Sequence, residues 1–141
     1  MVMTASKQLL LVDDDKHSRE GYQAYLAGHG FDVHAFEGGI DAMASAKSTA
    51  PDLVVLDLEL PDVDGWEVAR RLKSDEQTRN VPIIAFSGHS MQHEQVSALR
   101  AGCDVYLTKP CAPDRLLGAI HKLLGLETPR AENAAADPDP Y

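Results

Sequence analysis

Two runs of apolar residues each end in carboxylates, and these acids are the first candidates for chemistry in the sequence. Residues 53–56 are apolar and partly β-branched, and Asp57 follows them directly, before a loop rich in Pro, Asp and Gly. Residues 9–12 form a second apolar run, after which come three consecutive aspartates, residues 13–15. An Asp at one strand end is by itself typical of turns, and Asp15 is suited to capping a helix. A reactive site therefore requires complementary groups from other strands.

Such groups follow two other predicted strands. Ser87 comes directly after residues 82–86, and Lys109 comes shortly after residues 104–107. The carboxyl ends of parallel strands share one edge of a sheet, so we expect these groups to meet Asp13, Asp14 and Asp57 there. Clustered carboxylates raise one another's pKa unless a cation is present, and hard oxygen ligands favour Mg²⁺. A lysine and a hydroxyl suit the oxygens of a phosphoryl group, so the combination predicts an aspartyl-phosphate site.

The elements that must position these residues are short β-like runs alternating with longer helical patterns. This alternation predicts an α/β fold, a parallel sheet with helices on both faces. The predicted strands are residues 8–12, 31–36, 53–56, 82–86 and 104–107. The predicted helices are residues 16–27, 39–47, 66–73, 91–101 and 112–124. Helical spacing places Ile40, Met43 and Ala44 together on the second helix, and the fourth helix presents Val96 and Leu99.

Length and composition are those of one globular domain. The chain has 141 residues, of which 44% are hydrophobic and 25% charged. The net charge of -9 argues against non-specific nucleic-acid binding, which requires clustered Lys and Arg. Cys103 and Cys111 form neither a disulfide framework nor a zinc-binding pattern, and the N-terminus resembles neither a signal peptide nor a membrane span. We therefore expect a cytoplasmic protein in which the cysteines serve only packing, without membrane insertion.

The ends of the chain differ in character from its middle. We interpret residues 1–6 as a flexible N-terminus and residues 7–124 as the folded domain. Residues 125–141 are rich in Ala, Pro, Asp and Glu and lack an apolar period, which predicts a disordered tail. The tail is too short for a DNA-binding or catalytic output domain, so we expect the folded domain to stand alone.

Four motifs in this order resemble the receiver domain of bacterial two-component response regulators, the family that includes the single-domain chemotaxis regulator. They are LLLVDDD, LDLELPDVDG, the Ser87-Gly88 pair, and the TKP sequence at residues 108–110. The resemblance covers residues 7 to about 124, and the order and spacing of the motifs make it specific. It implies a flavodoxin-like (βα)5 fold with strand order 2-1-3-4-5. It also implies a protein that takes a phosphoryl group from a histidine kinase or a histidine phosphotransfer protein.

The resemblance assigns a metal-binding role to four residues. Asp57 matches the family's phosphoacceptor, and Asp13 and Asp14 match the acid pair that holds Mg²⁺ or Mn²⁺. Glu59 matches the position whose backbone carbonyl is a further ligand. The same position, together with His89, often tunes how fast family members lose the phosphoryl group, so the lifetime of the phosphorylated state stays open.

Further residues match the parts of the family's conformational switch. Lys109 matches the lysine that pairs with the phosphoryl group, and the bond from it into Pro110 is cis in the family. Ser87 matches the switch hydroxyl, and Tyr106 matches an aromatic that turns inward with it. The resemblance implies that phosphorylation changes a protein-binding face made of the fourth helix and the fifth strand and helix. Such a protein is a signalling switch that catalyses only its own phosphorylation and dephosphorylation.

Two alternative functions stay open at the level of sequence. One is a phosphohydrolase of the haloacid dehalogenase type, with Asp13 as nucleophile and Asp15 as acid/base. That family requires a further acidic metal-binding motif after its lysine, and no acidic residue at a predicted strand end follows Lys109. The other is a receiver-like interaction module that works without phosphorylation. His89 and His93 are four residues apart, a spacing that could place two metal ligands together, but we interpret them as a solvated face.

Overall fold

A computed structural model describes residues 6–88 and 92–126, with the side chains of residues 92–95 left out of the description. The predicted flexible N-terminus and disordered tail therefore lie almost entirely outside the described residues. His89 and Ser90 also lie outside them, as does the side chain of His93. Among the described helices, none combines the length and apolar character needed to span a membrane.

Five parallel strands form one sheet in the order β2-β1-β3-β4-β5. The strands, in chain order, are β1 Gln8–Val12, β2 Asp32–Phe36, β3 Leu53–Asp57, β4 Ile83–Ser87 and β5 Val105–Thr108. The order confirms the expected flavodoxin-like arrangement, in which β1 pairs with both β2 and β3. Three strands extend one residue beyond their predicted ends, so Asp57, Ser87 and Thr108 are themselves the last residues of their strands.

Five helices connect the strands and cover both faces of the sheet. They are α1 Lys16–Gly28, α2 Gly39–Thr49, α3 Gly65–Ser74, α4 Gln92–Arg100 and α5 Pro113–Leu124. Asp15 caps α1, as predicted, by accepting a hydrogen bond from the Ser18 N–H. The helix ends before Gly30, whose φ of 94° is readily adopted by glycine. Gly125, with a φ of 67°, ends α5 in the same left-handed conformation.

The hydrophobic core consists of two layers, one on each side of the sheet. Alternate residues of the strands point to opposite faces, so Leu10 and Val54 belong to one layer and Leu9 and Val55 to the other. The first layer is completed by α2, α3 and α4, and the second by α1 and α5. Central strands buried on both faces explain the continuous apolar runs in the sequence.

The predicted apolar face of α2 is correct only for Met43, which is partly buried against the core layer that contains Leu10 and Val54. Ile40 is 58% exposed and Ala44 is also exposed, whereas Ala42 and Ala46 are buried. The buried side of α2 thus consists mainly of small residues, and the helix lies against β1, β2 and α3. α4 follows the same rule: Ala98 is buried, while its larger apolar residues Val96 and Leu99 are exposed.

Candidate functional site

The site lies at the carboxyl edge of the sheet, where β1, β3 and β4 end and the chain leaves β5. Asp13, directly after β1, and Asp57, the last residue of β3, are both buried, and Asp14 is exposed beside them. One carboxylate oxygen from each of these three residues lies within 4.8 Å of the other two. The structure thus brings together the three acids that the sequence predicted at this edge.

Lys109 forms salt bridges with two of these acids, Asp13 and Asp57. Its Nζ donates to Asp13 Oδ2 at 3.0 Å and to Asp57 Oδ2 at 3.2 Å. The ammonium group also lies 5.6 Å from the centre of the Phe86 ring, which forms an apolar wall beside it. Burial alone would lower the pKa of Lys109, but the hydrogen bond to Asp13 and the charge of Asp57 raise it above its ordinary value. Lys109 is therefore a permanent cation within the acidic cluster.

Burial makes the charge of Asp57 unfavourable. The residue is 3% exposed, and removal from water raises its pKa from 3.8 to about 6. The Glu59 N–H, which donates to Asp57 Oδ1 at 2.8 Å, and the Lys109 ammonium group both act against this shift, whereas Asp13 adds to it. Both oxygens of the Asp57 carboxylate are thereby held in a fixed orientation.

The start of α1 holds Asp13. The Asp15 N–H donates to Asp13 Oδ1 at 2.9 Å, and the Arg19 guanidinium donates from Nη1 to the Asp13 backbone carbonyl at 2.8 Å. On the other side, the Asp13 N–H donates to the Phe36 carbonyl at the end of β2. No pattern in the sequence indicates this role of Arg19, because its contact depends on the direction in which α1 leaves the site.

Ser87 is 2% exposed at the end of β4, and its backbone carbonyl accepts a hydrogen bond of 2.7 Å from the Lys109 N–H. The two predicted phosphoryl contacts, Ser87 and Lys109, are thus linked through a backbone hydrogen bond.

The peptide bond from Lys109 to Pro110 is cis, as the resemblance implied. Tyr106 is 7% exposed and belongs to the core layer that includes Ala98 of α4.

The mouth of the site is crossed by Glu59. This residue is exposed, and its Oε1 accepts a hydrogen bond of 3.3 Å from the Gly88 N–H. Glu59 therefore connects the loop after β3 with the end of β4. His89, the other predicted tuning residue, lies outside the described residues.

Asp62 is a further residue that was not predicted from the sequence, and it lies in the loop between β3 and α3. Its carboxylate accepts hydrogen bonds from the N–H groups of Gly39 and Ile40 at the start of α2. No local pattern indicates this contact, because the partners are separated by more than twenty residues. Cys103 and Cys111 are both buried free thiols, in agreement with the predicted packing role.

Comparison with known proteins identifies relatives along nearly the whole described chain. Residues 9–121 match the response regulator receiver domain family. A curated relative, the polar-differentiation response regulator DivK of Brucella ovis, is 29% identical over 120 residues, which are 85% of this chain and 98% of DivK.

Two solved structures show the same fold. A putative response regulator from Chloroflexus aurantiacus aligns with a TM-score of 0.81 and 28% identity, covering 85% of this chain and 98% of that one. The receiver domain of the sensor histidine kinase PA1611 from Pseudomonas aeruginosa aligns with a TM-score of 0.80 and 31% identity, covering 86% and 99%. That structure has a magnesium ion coordinated in its active-site cleft.

The family match, the strand order and the cluster of acids at the carboxyl edge agree with one another, and they point to a signalling domain. The chain belongs to the response regulator receiver domain family of two-component signalling.

Proposed function

We propose that this receiver domain accepts a phosphoryl group on Asp57, with Mg²⁺ as cofactor, from a phosphohistidine of a sensor histidine kinase or a histidine phosphotransfer protein. The observation that carries the proposal is the position of Lys109, whose Nζ bonds both Asp13 and Asp57 within a cluster of three carboxylates. A buried acid with a neighbouring cation and further acids is the arrangement that phosphoryl transfer to a carboxylate requires.

The donor set fits a divalent cation with hard oxygen ligands. Three carboxylates face one lysine, which leaves an excess of negative charge in a largely buried site. Asp13, Asp14 and Asp57, with the backbone carbonyl of Glu59, would hold Mg²⁺ or Mn²⁺. When bound, the ion supplies positive charge that offsets the repulsion between Asp57 and the oxygens of an incoming phosphoryl group. The magnesium ion in the cleft of the PA1611 receiver domain supports this assignment.

The chemical step is a displacement at phosphorus. An oxygen of the ionised Asp57 carboxylate forms the new O–P bond while the N–P bond to the donor imidazole breaks. The imidazole leaves with the electron pair of that bond and takes a proton from solvent. A pKa of about 6 leaves most of Asp57 ionised at neutral pH, and the Glu59 N–H and Lys109 orient its two oxygens.

The phosphoryl group carries roughly two negative charges in place of the single charge of the Asp57 carboxylate, so the end of β3 gains about one negative charge. In this proposal Ser87 donates its hydroxyl hydrogen to a phosphoryl oxygen, and Lys109 pairs with another. Because the Lys109 N–H bonds the Ser87 carbonyl, a movement of one residue displaces the other. Tyr106 packs in the same core layer as Ala98 of α4, which provides a route from the site to that helix.

The face that binds a downstream protein is formed by α4, β5 and α5. Val96 and Leu99 of α4 are 40% and 45% exposed, so this helix presents apolar side chains to solvent. Exposed large apolar residues of this kind favour a protein partner over a nucleic acid, as does the net charge of -9. The domain is thus a cytoplasmic signalling switch whose only reactions are its own phosphorylation and dephosphorylation, the latter tuned by Glu59 and His89.

The decisive experiment is to incubate the protein with Mg²⁺ and a small phosphodonor, such as acetyl phosphate, and to record its intact mass. We expect a gain of one phosphoryl group that hydroxylamine removes, as for an acyl phosphate. Asp57→Asn should abolish this gain, and Asp13→Asn should reduce it through loss of Mg²⁺. Asp52→Asn, at the opposite edge of the sheet, is the matched control and should leave it unchanged.

The other outcomes are equally clear. If no adduct forms with any donor while Mg²⁺ is present, the domain is an interaction module that works without phosphorylation. If the adduct persists in Asp57→Asn but disappears in Asp13→Asn, and many phosphates are released per protein, the nucleophile is Asp13 and the proposed function is wrong.

A further inference from the structure

The helix α2 begins without a capping side chain of its own. Gly38 occupies the N-cap position in an extended conformation, with φ of -134° and ψ of 161°, and provides no side-chain hydrogen bond. Asp62 takes over this role from the loop between β3 and α3. Its Oδ1 accepts from the Gly39 N–H at 2.9 Å, and its Oδ2 accepts from the Ile40 N–H at 3.0 Å. A carboxylate is favoured at this end of the helix dipole.

The loop between β3 and α3 packs closely against the start of α2. A Cβ added to Gly38 would lie 2.8 Å from Asp62 Oδ2, and one added to Gly39 would lie 2.5 Å from Val63 Cγ1. The two glycines therefore allow the loop to lie directly against the start of α2. The two N–H donors also keep the pKa of Asp62 below its ordinary value, so the carboxylate is charged at neutral pH.

The turn from β2 into α2 contacts both segments that carry the acids of the site. At its beginning, the Phe36 carbonyl accepts a hydrogen bond of 3.0 Å from the Asp13 N–H. At its end, Gly39 and Ile40 bind Asp62. The loop that contains Asp62 also contains Glu59, whose N–H holds Asp57 Oδ1. Residues 36–40 thus fix the loop after β3 relative to the segment after β1.

We propose that Asp62 is a positioning residue for the magnesium site, although it is not itself a ligand. By binding the start of α2 it holds residues 58–64 in place, and with them the backbone of Glu59 against Asp57. The inference rests on the proposed function, because it assumes that Mg²⁺ binds between Asp13, Asp57 and Glu59. Removal of a group that orients metal ligands in this way commonly weakens metal binding about 10–100-fold.

The test is the affinity of the full chain for Mg²⁺ alone, measured by calorimetry without a phosphodonor. We expect Asp62→Ala to weaken Mg²⁺ binding by about tenfold. Asp62→Asn retains one acceptor oxygen and should fall between this variant and the wild type. The matched control is Asp52→Ala, which removes a carboxylate that accepts the Gln8 N–H at 2.7 Å at the opposite edge of the sheet.

A double variant separates positioning of the loop from stability of α2. In Asp62→Ala the space beside Gly38 is free, so Gly38→Ser in that background can cap α2 with its own hydroxyl. We expect this double variant to regain resistance to urea relative to Asp62→Ala. Its affinity for Mg²⁺ should stay about tenfold low, because the loop is still detached from α2.

The possible results distinguish this inference from the proposed function. If the wild type binds Mg²⁺ and the Asp62 variants bind it equally well, the positioning role is refuted while the proposed function stands. If the double variant regains full affinity, Asp62 acts only through the stability of α2, and the positioning role is again refuted. If the wild type shows no binding that depends on Asp13, the proposed magnesium site itself is wrong.

Discussion

The burial of Asp57 predicts that this acid lowers the stability of the metal-free protein as the pH rises. Its folded-state pKa of about 6 is higher than the ordinary value of 3.8 that it has in the unfolded chain. A carboxyl group whose pKa is higher in the folded than in the unfolded protein stabilises the folded state at low pH. This contribution is fully present below the pKa of the unfolded chain and is lost as the pH rises through the pKa of the folded protein. The loss therefore occurs between about pH 4 and pH 7.

The size of the effect follows from the same shift. Each pKa unit corresponds to about 1.4 kcal/mol, so the shift from 3.8 to about 6 sets an upper limit of about 3 kcal/mol. The neighbouring Asp14 is exposed, so water reaches this side of the site and reduces the energetic cost of burying the Asp57 charge. We expect about 2 kcal/mol to remain as the stability difference caused by ionisation of Asp57.

The assay is urea unfolding of the wild type and Asp57→Asn in EDTA, at several pH values between about 4.5 and 8. The asparagine cannot ionise, whereas the histidines and other acids titrate in both proteins and largely cancel in the comparison. Asp57→Asn should therefore gain about 2 kcal/mol over the wild type as the pH rises through this range. Trp66, the single tryptophan, is an available fluorescent probe of unfolding.

Two results would refute this reasoning. A difference between the two proteins that does not change with pH would mean that the charge of Asp57 is not desolvated. A difference that moves the other way, with the wild type gaining stability as the pH rises, would mean that Lys109 and the Glu59 N–H outweigh burial and that the pKa of Asp57 is lowered.

Two further predictions concern packing. Gly65→Ala would place a Cβ 2.5 Å from the Leu58 Cα, so it should lower the free energy of unfolding in urea by about 2–4 kcal/mol. The control is Gly118→Ala, whose added Cβ would have no neighbour within 4 Å apart from the backbone of its own helix and which should be neutral or slightly stabilising. Burial raises the pKa of Cys103 to about 12 and also raises that of Cys111. Both thiols should react with a disulfide reagent at least about tenfold more slowly in the native than in the unfolded protein, and equal rates would contradict the buried placement.

The sequence was sufficient to predict the order of the elements and the edge at which the site lies. Strands buried on both faces leave long apolar runs, and each run points to the polar residue that follows it, as for Asp13 and Asp57. Parallel pairing then requires those residues to share an edge. The convergence of the acids with Lys109 follows from these local signals alone.

The features that could not be predicted depend on contacts between distant segments. The face of α2 was only partly predicted, because hydrophobic spacing favours large residues such as Ile40, whereas the side of the helix that lies against β1 and β2 buries Ala42 and Ala46. Arg19 and Asp62 have ordinary sequence surroundings, and only the three-dimensional arrangement brings the first to the Asp13 carbonyl and the second to α2. A pattern along the chain cannot contain either contact.

On the proposed function, the unfavourable burial of Asp57 and the conformational switch have the same physical origin. In the resting site Lys109 is shared between Asp13 and Asp57, and the charge of Asp57 is poorly solvated. Phosphorylation moves negative charge from the carboxylate to the phosphoryl oxygens, farther from the end of β3. A movement of the Lys109 ammonium group towards the phosphoryl oxygens is therefore favourable. The hydrogen bond from the Lys109 N–H to the Ser87 carbonyl couples this movement to the end of β4. The energy that destabilises the resting site is therefore available to favour the rearranged one.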